Sequence, residues 1–335
     1  MTDPSSRVLS SSRLRHWVRW VGFVLSVLLF FYVALVVRGI QSSLPEGQTH
    51  RILAALPGAV ALVLLGLTLR ALRWHYYVRI SRWPIPFHYS IAAFVASISL
   101  TLSPGKAGEV IKSALLADRF GVPVVETAGA LVVERLGDLI AVLLLAGLGL
   151  FWWVDASVSV LVLLVIAVSL IGFVVTPQIH RPLFALVGRI PILSKISDQA
   201  QRLIDAGRRL LAPKPFAVGC LLALVAWGCE GIALWLIVQT VDFQLPVWSA
   251  VFVFSISTVA GVVSMLPGGV GGFEAVMVLL LSKLGLAAGV ASVPVSVFRM
   301  CTLWLGSLLG LIVLAGWLIW VPRNSQPPSM EAKPS

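Results

Sequence analysis

Residues 255–274 read SISTVAGVVSMLPGGVGGFE, and residues 97–109 read SISLTLSPGKAGE. Each is an apolar run that stops at a Pro-Gly pair, passes through further glycine and ends on a glutamate. Proline removes a backbone donor and halts a helix; glycine tolerates positive φ and close backbone approach. Both stretches therefore predict helix, break, helix. Inside a membrane such a break must be buried in protein or line a cavity, because its backbone polar groups need partners. The candidate cavity-lining positions are Pro104, Gly105 and Gly108 in the first break, and Pro267, Gly268, Gly269, Gly271 and Gly272 in the second. The helix after each break aims its free N–H groups at the break, a natural place for an anionic headgroup. Glu109 and Glu274 fall in the first turn of that helix. They either face a substrate or complement the helix dipole and hold the break in shape. A nucleotide loop is a weak reading of these glycines, since no strand precedes them.

The surroundings of the breaks call for a bilayer. The chain has 335 residues, 59% hydrophobic and only 12% charged, with mean hydropathy +0.98. Soluble domains run about 45–50% apolar and about 25% charged. A soluble enzyme, a secreted disulfide domain and a disordered chain are all excluded. About 20 apolar residues span a bilayer as a helix, and clear candidates lie at 17–37, 52–72, 124–152, 156–176, 216–240 and 288–320. The last is long enough to tilt or to kink near Arg299. The fold class is therefore all-α, a polytopic membrane helix bundle filling 1–321, with a polar, Pro-rich, disordered tail over 322–335. The apolar run at the N-terminus is too long for a signal peptide and reads as an uncleaved span. Cys220, Cys229 and Cys301 show no metal-ligand spacing. No P-loop is present, and no cofactor or metal is expected.

The net charge of +11 raises nucleic acid as a partner, and the placement of the charges dismisses it. Twenty of the 25 lysines and arginines fall in five segments: 7–19, 70–82, 106–119, 181–214 and 323–333. By the positive-inside rule these segments are cytoplasmic, with both termini inside. A bacterial inner membrane is the expected location. The chain is then cytoplasmic on both sides of 89–117, which predicts a re-entrant hairpin. Its first arm, roughly 90–103, rises only about 21 Å at 1.5 Å per residue, short of the bilayer core of about 30 Å. The stretch 248–282 is re-entrant from the other side if 288–320 crosses once. Between the halves, 180–214 reads as a cytoplasmic amphipathic linker. Ile196, Leu203, Gly207, Leu210 and Leu211 recur at helical spacing among Arg202, Arg208 and Arg209, as in a helix lying on anionic lipid. An ordinary basic loop is the alternative.

The two breaks belong to a longer repeat. Gly121 precedes Arg135 by 14 residues and Gly285 precedes Arg299 by 14, an offset of 164 in both cases. Repeat A covers about 52–152 and repeat B about 216–320. The topology makes them opposite in the membrane, and inverted repeats with discontinuous helices are the layout of secondary transporters.

The intramembrane charges are few. Each costs about 2.5–3.5 kcal/mol at the bilayer centre even on a lenient scale, and such residues are functional candidates by default. Glu134 and Asp138 share a helix face, and Arg135 neighbours Asp138. They form a self-neutralising lock between helices, or Arg135 binds phosphate in a fork geometry while Glu134 tunes it. Arg299 has no acid within 24 residues, so its partner comes from elsewhere: Glu274, Glu230, Glu134 or a lipid phosphate. Glu230 also lies mid-span without a local partner, and an Arg299–Glu230 pair is the plain structural reading. The candidate substrate-binding set is thus Glu109, Glu134, Arg135, Asp138, Glu230, Glu274 and Arg299.

The run from Pro104-Gly-x-x-Gly-Glu109 through Glu134-Arg135-x-x-Asp138 to Pro267-Gly-Gly-Val-Gly-Gly-Phe-Glu274 and Arg299 resembles the lysylphosphatidylglycerol synthase transmembrane region, a family of flippase-like membrane proteins, over roughly 15–320. The resemblance implies lipid translocation between leaflets, with Glu109, Glu134, Arg135, Asp138, Glu274 and Arg299 as characteristic polar positions. The synthases carry a large soluble catalytic domain after the membrane part. About 14 polar residues follow the last span here, so lysyl transfer is not expected. The expected partners are membrane lipids, anionic or otherwise polar-headed. A membrane-embedded lipid-modifying transferase, or an accessory subunit of one, is the alternative, and a homo-oligomer is compatible with either.

Overall fold

The computed structural model describes residues 48–101, 111–150 and 201–320, with the single positions 27, 31, 32, 34, 38, 39 and 172. The expected spans at 17–37 and 156–176, the first break with Pro104, Gly105, Gly108 and Glu109, and the tail lie outside the described residues. Among the described residues every regular element is helical. The order is α1 Gln48–Ile80, α2 Phe87–Ile98, α3 Ile111–Phe120, α4 Val124–Leu150, α5 Pro213–Val238, α6 Val247–Val263, α7 Gly272–Lys283, α8 Ala288–Arg299 and α9 Leu305–Trp320. A π-helical turn at Met300–Trp304 joins α8 to α9, so 288–320 is one continuous helix. Its irregular turn begins directly after Arg299. Three helices are long and apolar enough to cross a membrane: Gln48–Ile80, Pro213–Val241 and Ala288–Trp320.

Chain stops are local and repeated. After α1, Arg82 takes φ 56°, and after α5, Asp242 takes φ 55°. In the segments that follow, Ile85 N–H donates to Trp83 O at 2.8 Å and Leu245 N–H to Phe243 O at 3.0 Å. Pro86 and Pro246 then precede α2 and α6, where proline's fixed φ and missing donor suit a helix start. Gly121 and Gly285 each take positive φ, 68° and 109°, ahead of α4 and α8. An L side chain resists that conformation, so glycine is the residue these turns call for.

Helices α1 and α5 pack along much of their length and run antiparallel. Gln48 and Arg51 at the start of α1 bond Asp242 beyond the end of α5. Tyr77 near the end of α1 lies on Gly219 near the start of α5, where an added methyl would sit 2.0 Å from the tyrosine hydroxyl. At the crossing a methyl on Gly66 would fall 2.8 Å from Ala226 O. Around this pair, α6 packs on α4 and α2 on α9. Two apolar cores result. One joins α5, α6, α7 and α8 to Ile52, Ala59 and Val63 of α1 and Ala141, Val142 and Leu145 of α4. The other joins the rest of α1 and α4 to α2, α3 and α9.

The stretch before α5 differs from its lipid-surface expectation. Gly207 packs on Gly129 of α4, where an added methyl would meet Gly129 O at 3.0 Å. Leu210 and Leu211 are buried in the second core. Part of the apolar stripe therefore faces protein, while Arg208 and Arg209 stay exposed. Ile196 lies outside the described residues.

Candidate functional site

Helices α1, α3, α4 and α5 bring a row of alternating charges together. Lys112 pairs with Glu134 Oε2. Glu134 Oε1 lies 3.9 Å from Arg73 Nη2. Arg73 Nη1 lies 2.8 Å from Asp138 Oδ1, and Asp138 Oδ2 lies 3.1 Å from Arg135 Nη2. Cation and carboxylate alternate along the whole row, from Lys112 to Arg135. The helical spacing of α4 makes this possible: Glu134 and Asp138 stack one turn apart, and Arg73 on α1 reaches between them. Trp227 of α5 donates its indole N–H to Asp138 Oδ1 at 3.0 Å. The far end is caged, with Lys112 Nζ 3.9 Å from the Trp74 ring centroid and 5.2 Å from that of Phe94. Arg73, Lys112 and Glu134 are fully buried, whereas the Arg135 side chain is 38% exposed. The row is closed at one end and open at the other.

A second pair lies beside the row. Arg70 of α1 bonds Glu230 of α5 and stacks 4.8 Å over Trp227. This corrects the expected Arg299–Glu230 pair. Glu230 takes its partner from the antiparallel helix alongside it, and Arg299 takes a different one.

Arg299 braces the second break. Its Nε donates to Glu274 Oε1 at 2.5 Å and its Nη2 to Gly268 O at 2.8 Å. The other oxygen of Glu274 accepts Gly271 N–H at 2.7 Å. The guanidinium lies 4.6 Å over Phe273, whose ring stacks on Phe298. Gly268, Gly269 and Gly271 have φ of 62°, 68° and 90°, which side chains with a Cβ rarely adopt. Glu274 thus closes the start of α7 while Arg299 ties it to α8. The tip of this hairpin exposes Val262, Val263, Met265, Leu266 and Val270.

Of the expected site residues, Glu134, Arg135 and Asp138 converge in the row, and Glu274 and Arg299 meet at the break. Glu230 stands on the α1–α5 contact. Sequence reasoning missed Arg70, Arg73 and Lys112, because it counted them among cytoplasmic basic residues. Arg73 and Lys112 are interior, and only the exposed ends of the helices carry the positive-inside signal. The signal that could have found the two arginines is spacing: Arg73 and Arg70 sit about two and three turns before the end of a long apolar helix. Among the described residues, no three His, Cys, Asp or Glu side chains are grouped as a metal would need.

A helical membrane protein with charges buried at the depth of its long helices is the class that fold and site define. The chain matches the family described as the lysylphosphatidylglycerol synthase TM region over residues 19–310, and it belongs to that family. Two UPF0104 membrane proteins of Methanothermobacter thermautotrophicus are similar to it. One is 23% identical over 273 residues, 73% of this chain and 78% of the relative. The other is 23% identical over 284 residues, 76% and 83% of the two chains.

Proposed function

We propose that this protein moves polar-headed lipids, with anionic headgroups favoured, between the leaflets of a bacterial inner membrane. The observation that carries the reading is the charge row. It places a partly exposed guanidinium, Arg135, part-way along α4, with Asp138 and then the buried row behind it. A lipid phosphate approaching from the open end meets a planar donor suited to phosphate, while the acyl chains remain in lipid.

The inverted-repeat reading supports transport. The element order α1–α2–α3–α4 recurs as α5–α6–α7–α8/α9, with matching stops at Arg82 and Asp242 and matching glycines at 121 and 285. Arg70 and Glu230 are 160 residues apart and touch, as are Gly66 and Ala226. At the 160-residue offset that also relates Arg82 to Asp242, and that widens to 164 by Gly121 and Gly285, corresponding positions meet where the two antiparallel helices cross, as a two-fold relation perpendicular to those helices produces. The exposed apolar tip of the second hairpin favours re-entry, since five large apolar side chains at a water-facing loop would be costly. One end of the α1–α5 pair carries exposed Arg79, Arg82, Arg208, Arg209 and Lys214, while the other has Arg51 matched to Asp242. That asymmetry supports a cytoplasmic position for the first end.

The test is reconstitution in liposomes with labelled lipids across a panel of anionic, zwitterionic and cationic headgroups. Accelerated leaflet exchange of at least one class is expected, reduced about tenfold or more by Arg135→Ala if the phosphate contact contributes the roughly 1.5–3 kcal/mol of a charged hydrogen bond. No acceleration for any headgroup overturns the proposal.

A further inference from the structure

We infer that the break in the charge row, between Arg73 and Glu134, is a water-binding site sealed inside the helices. The row closes by direct contact at each junction except this one, where Nη2 and Oε1 stand 3.9 Å apart. At that separation a water standing beside the pair can lie about 2.8 Å from both atoms and bridge them. The two atoms that face each other across this junction, Arg73 Nη2 and Glu134 Oε1, have no hydrogen bond, and neither do Arg73 Nε and the hydroxyl of nearby Tyr77. All three residues are fully buried. Tyr77 lies one turn along α1 from Arg73, within electrostatic reach of Arg73, Glu134 and Asp138. Buried polar groups are almost always satisfied, and leaving one orphaned costs about 1–3 kcal/mol. Two such orphans from two helices, facing each other across one gap, therefore ask for a shared partner.

The donor set names that partner. Water needs two to four polar neighbours, and it can accept from the guanidinium while donating to the carboxylate. A small anion would accept from Arg73 but would lie against Glu134 and Asp138. A cation would bind the carboxylates but would face Arg73, with Lys112 on the other side of Glu134. Gly137 on α4 leaves the guanidinium unpressed on its Nη1 side, since even a methyl there would keep ordinary contact distances of 3.7 Å from Arg73 Nη1 and 3.8 Å from Cys220 Sγ. The water joins the Lys112–Glu134 pair to the Arg73–Asp138–Arg135 ion pairs across the widest junction of the row. The inference stands on this geometry and not on the lipid reading.

Hydroxyl-radical footprinting of the intact protein in lipid nanodiscs tests it. Radicals form from water, so a buried ring beside trapped water is oxidised while an equally buried dry ring is spared. After correction for intrinsic ring reactivity, Tyr77 should be modified at least about tenfold faster than Phe254 and Phe298, which are as deeply buried in apolar packing, because only Tyr77 has a bound water. Equal modification of the three rings overturns the proposal. So does fast modification of Phe254 along with Tyr77, which would report opening of the bundle. Replacing chloride by gluconate at constant ionic strength should change nothing; a chloride-dependent loss of Tyr77 labelling would put an anion in the site and overturn the water assignment.

Discussion

Arg73 and Arg135 touch the same carboxylate and should behave oppositely on substitution. Arg73 is fully buried between Glu134 and Asp138, so Arg73→Met leaves two carboxylates facing each other out of water. Removing one partner of a buried pair costs about 3–5 kcal/mol. Arg73→Met should therefore lower the thermal midpoint sharply or prevent accumulation of folded protein, read by fluorescence-detected size exclusion after heating. Arg135 is 38% exposed, and Arg135→Ala should keep the midpoint close to that of the parent while lowering lipid movement. Equal loss of stability in both variants would make the row a lock and nothing more. The half of this network that was legible in the sequence is the half on one helix: Glu134 and Asp138 are four apart, and helical spacing alone puts them on one face. Their partners on other helices, Arg73 and Lys112, were not legible. An arginine near the end of an apolar helix looks the same whether it snorkels to water or turns inward, and the difference is made by α5 packing along α1 and carrying α4 against it.

The second hairpin makes the corresponding point for an element. Its break was readable from Pro267 and the four glycines, since proline and positive φ leave few other conformations. What secures it was readable only as one option among four, because Glu274 and Arg299 are 25 residues apart and meet only when α7 folds back on α8. The bracing uses two nitrogens of one planar group, Nε on Glu274 and Nη2 on Gly268 O. Lysine carries the same charge but cannot reproduce that fork. Arg299→Lys should therefore destabilise almost as much as Arg299→Ala, and Gly268→Ala should cost about 1–2 kcal/mol from its left-handed φ alone. Both losses are measurable as shifts in thermal midpoint. If Arg299→Lys were indistinguishable from the parent, charge and not the fork would be holding the break. The π-helical turn at Met300–Trp304 starts directly after Arg299. Such turns are frequent at functional sites in helices, and this one lies at the point where the long helix is anchored to the hairpin.

At the scale of the molecule, the contact between α1 and α5 decides how the two halves are oriented. Gln48 and Arg51 meet Asp242 at one end, and Tyr77 meets Gly219 at the other, so the helices are antiparallel. Each is long enough to cross a bilayer. Arg82 and Asp242 each take a left-handed φ just after α1 and α5, and both are exposed. If both helices cross, these two residues lie on opposite sides of the membrane. Single cysteines at Arg82→Cys and Asp242→Cys, in a protein lacking Cys220, Cys229 and Cys301, read this directly. A membrane-impermeant maleimide applied to sealed inside-out vesicles should label Arg82→Cys, and applied to right-side-out vesicles it should label Asp242→Cys. The side assignment comes from the cluster of Arg79, Arg82, Arg208, Arg209 and Lys214 at one end of the pair, because basic residues are retained in the cytoplasm. Reversed labelling would keep the inverted repeat and overturn the cytoplasmic placement. Labelling of both positions from the same side would mean that α1 and α5 do not both span, and the two-fold relation between the halves, with the alternating access it supports, would fall with it.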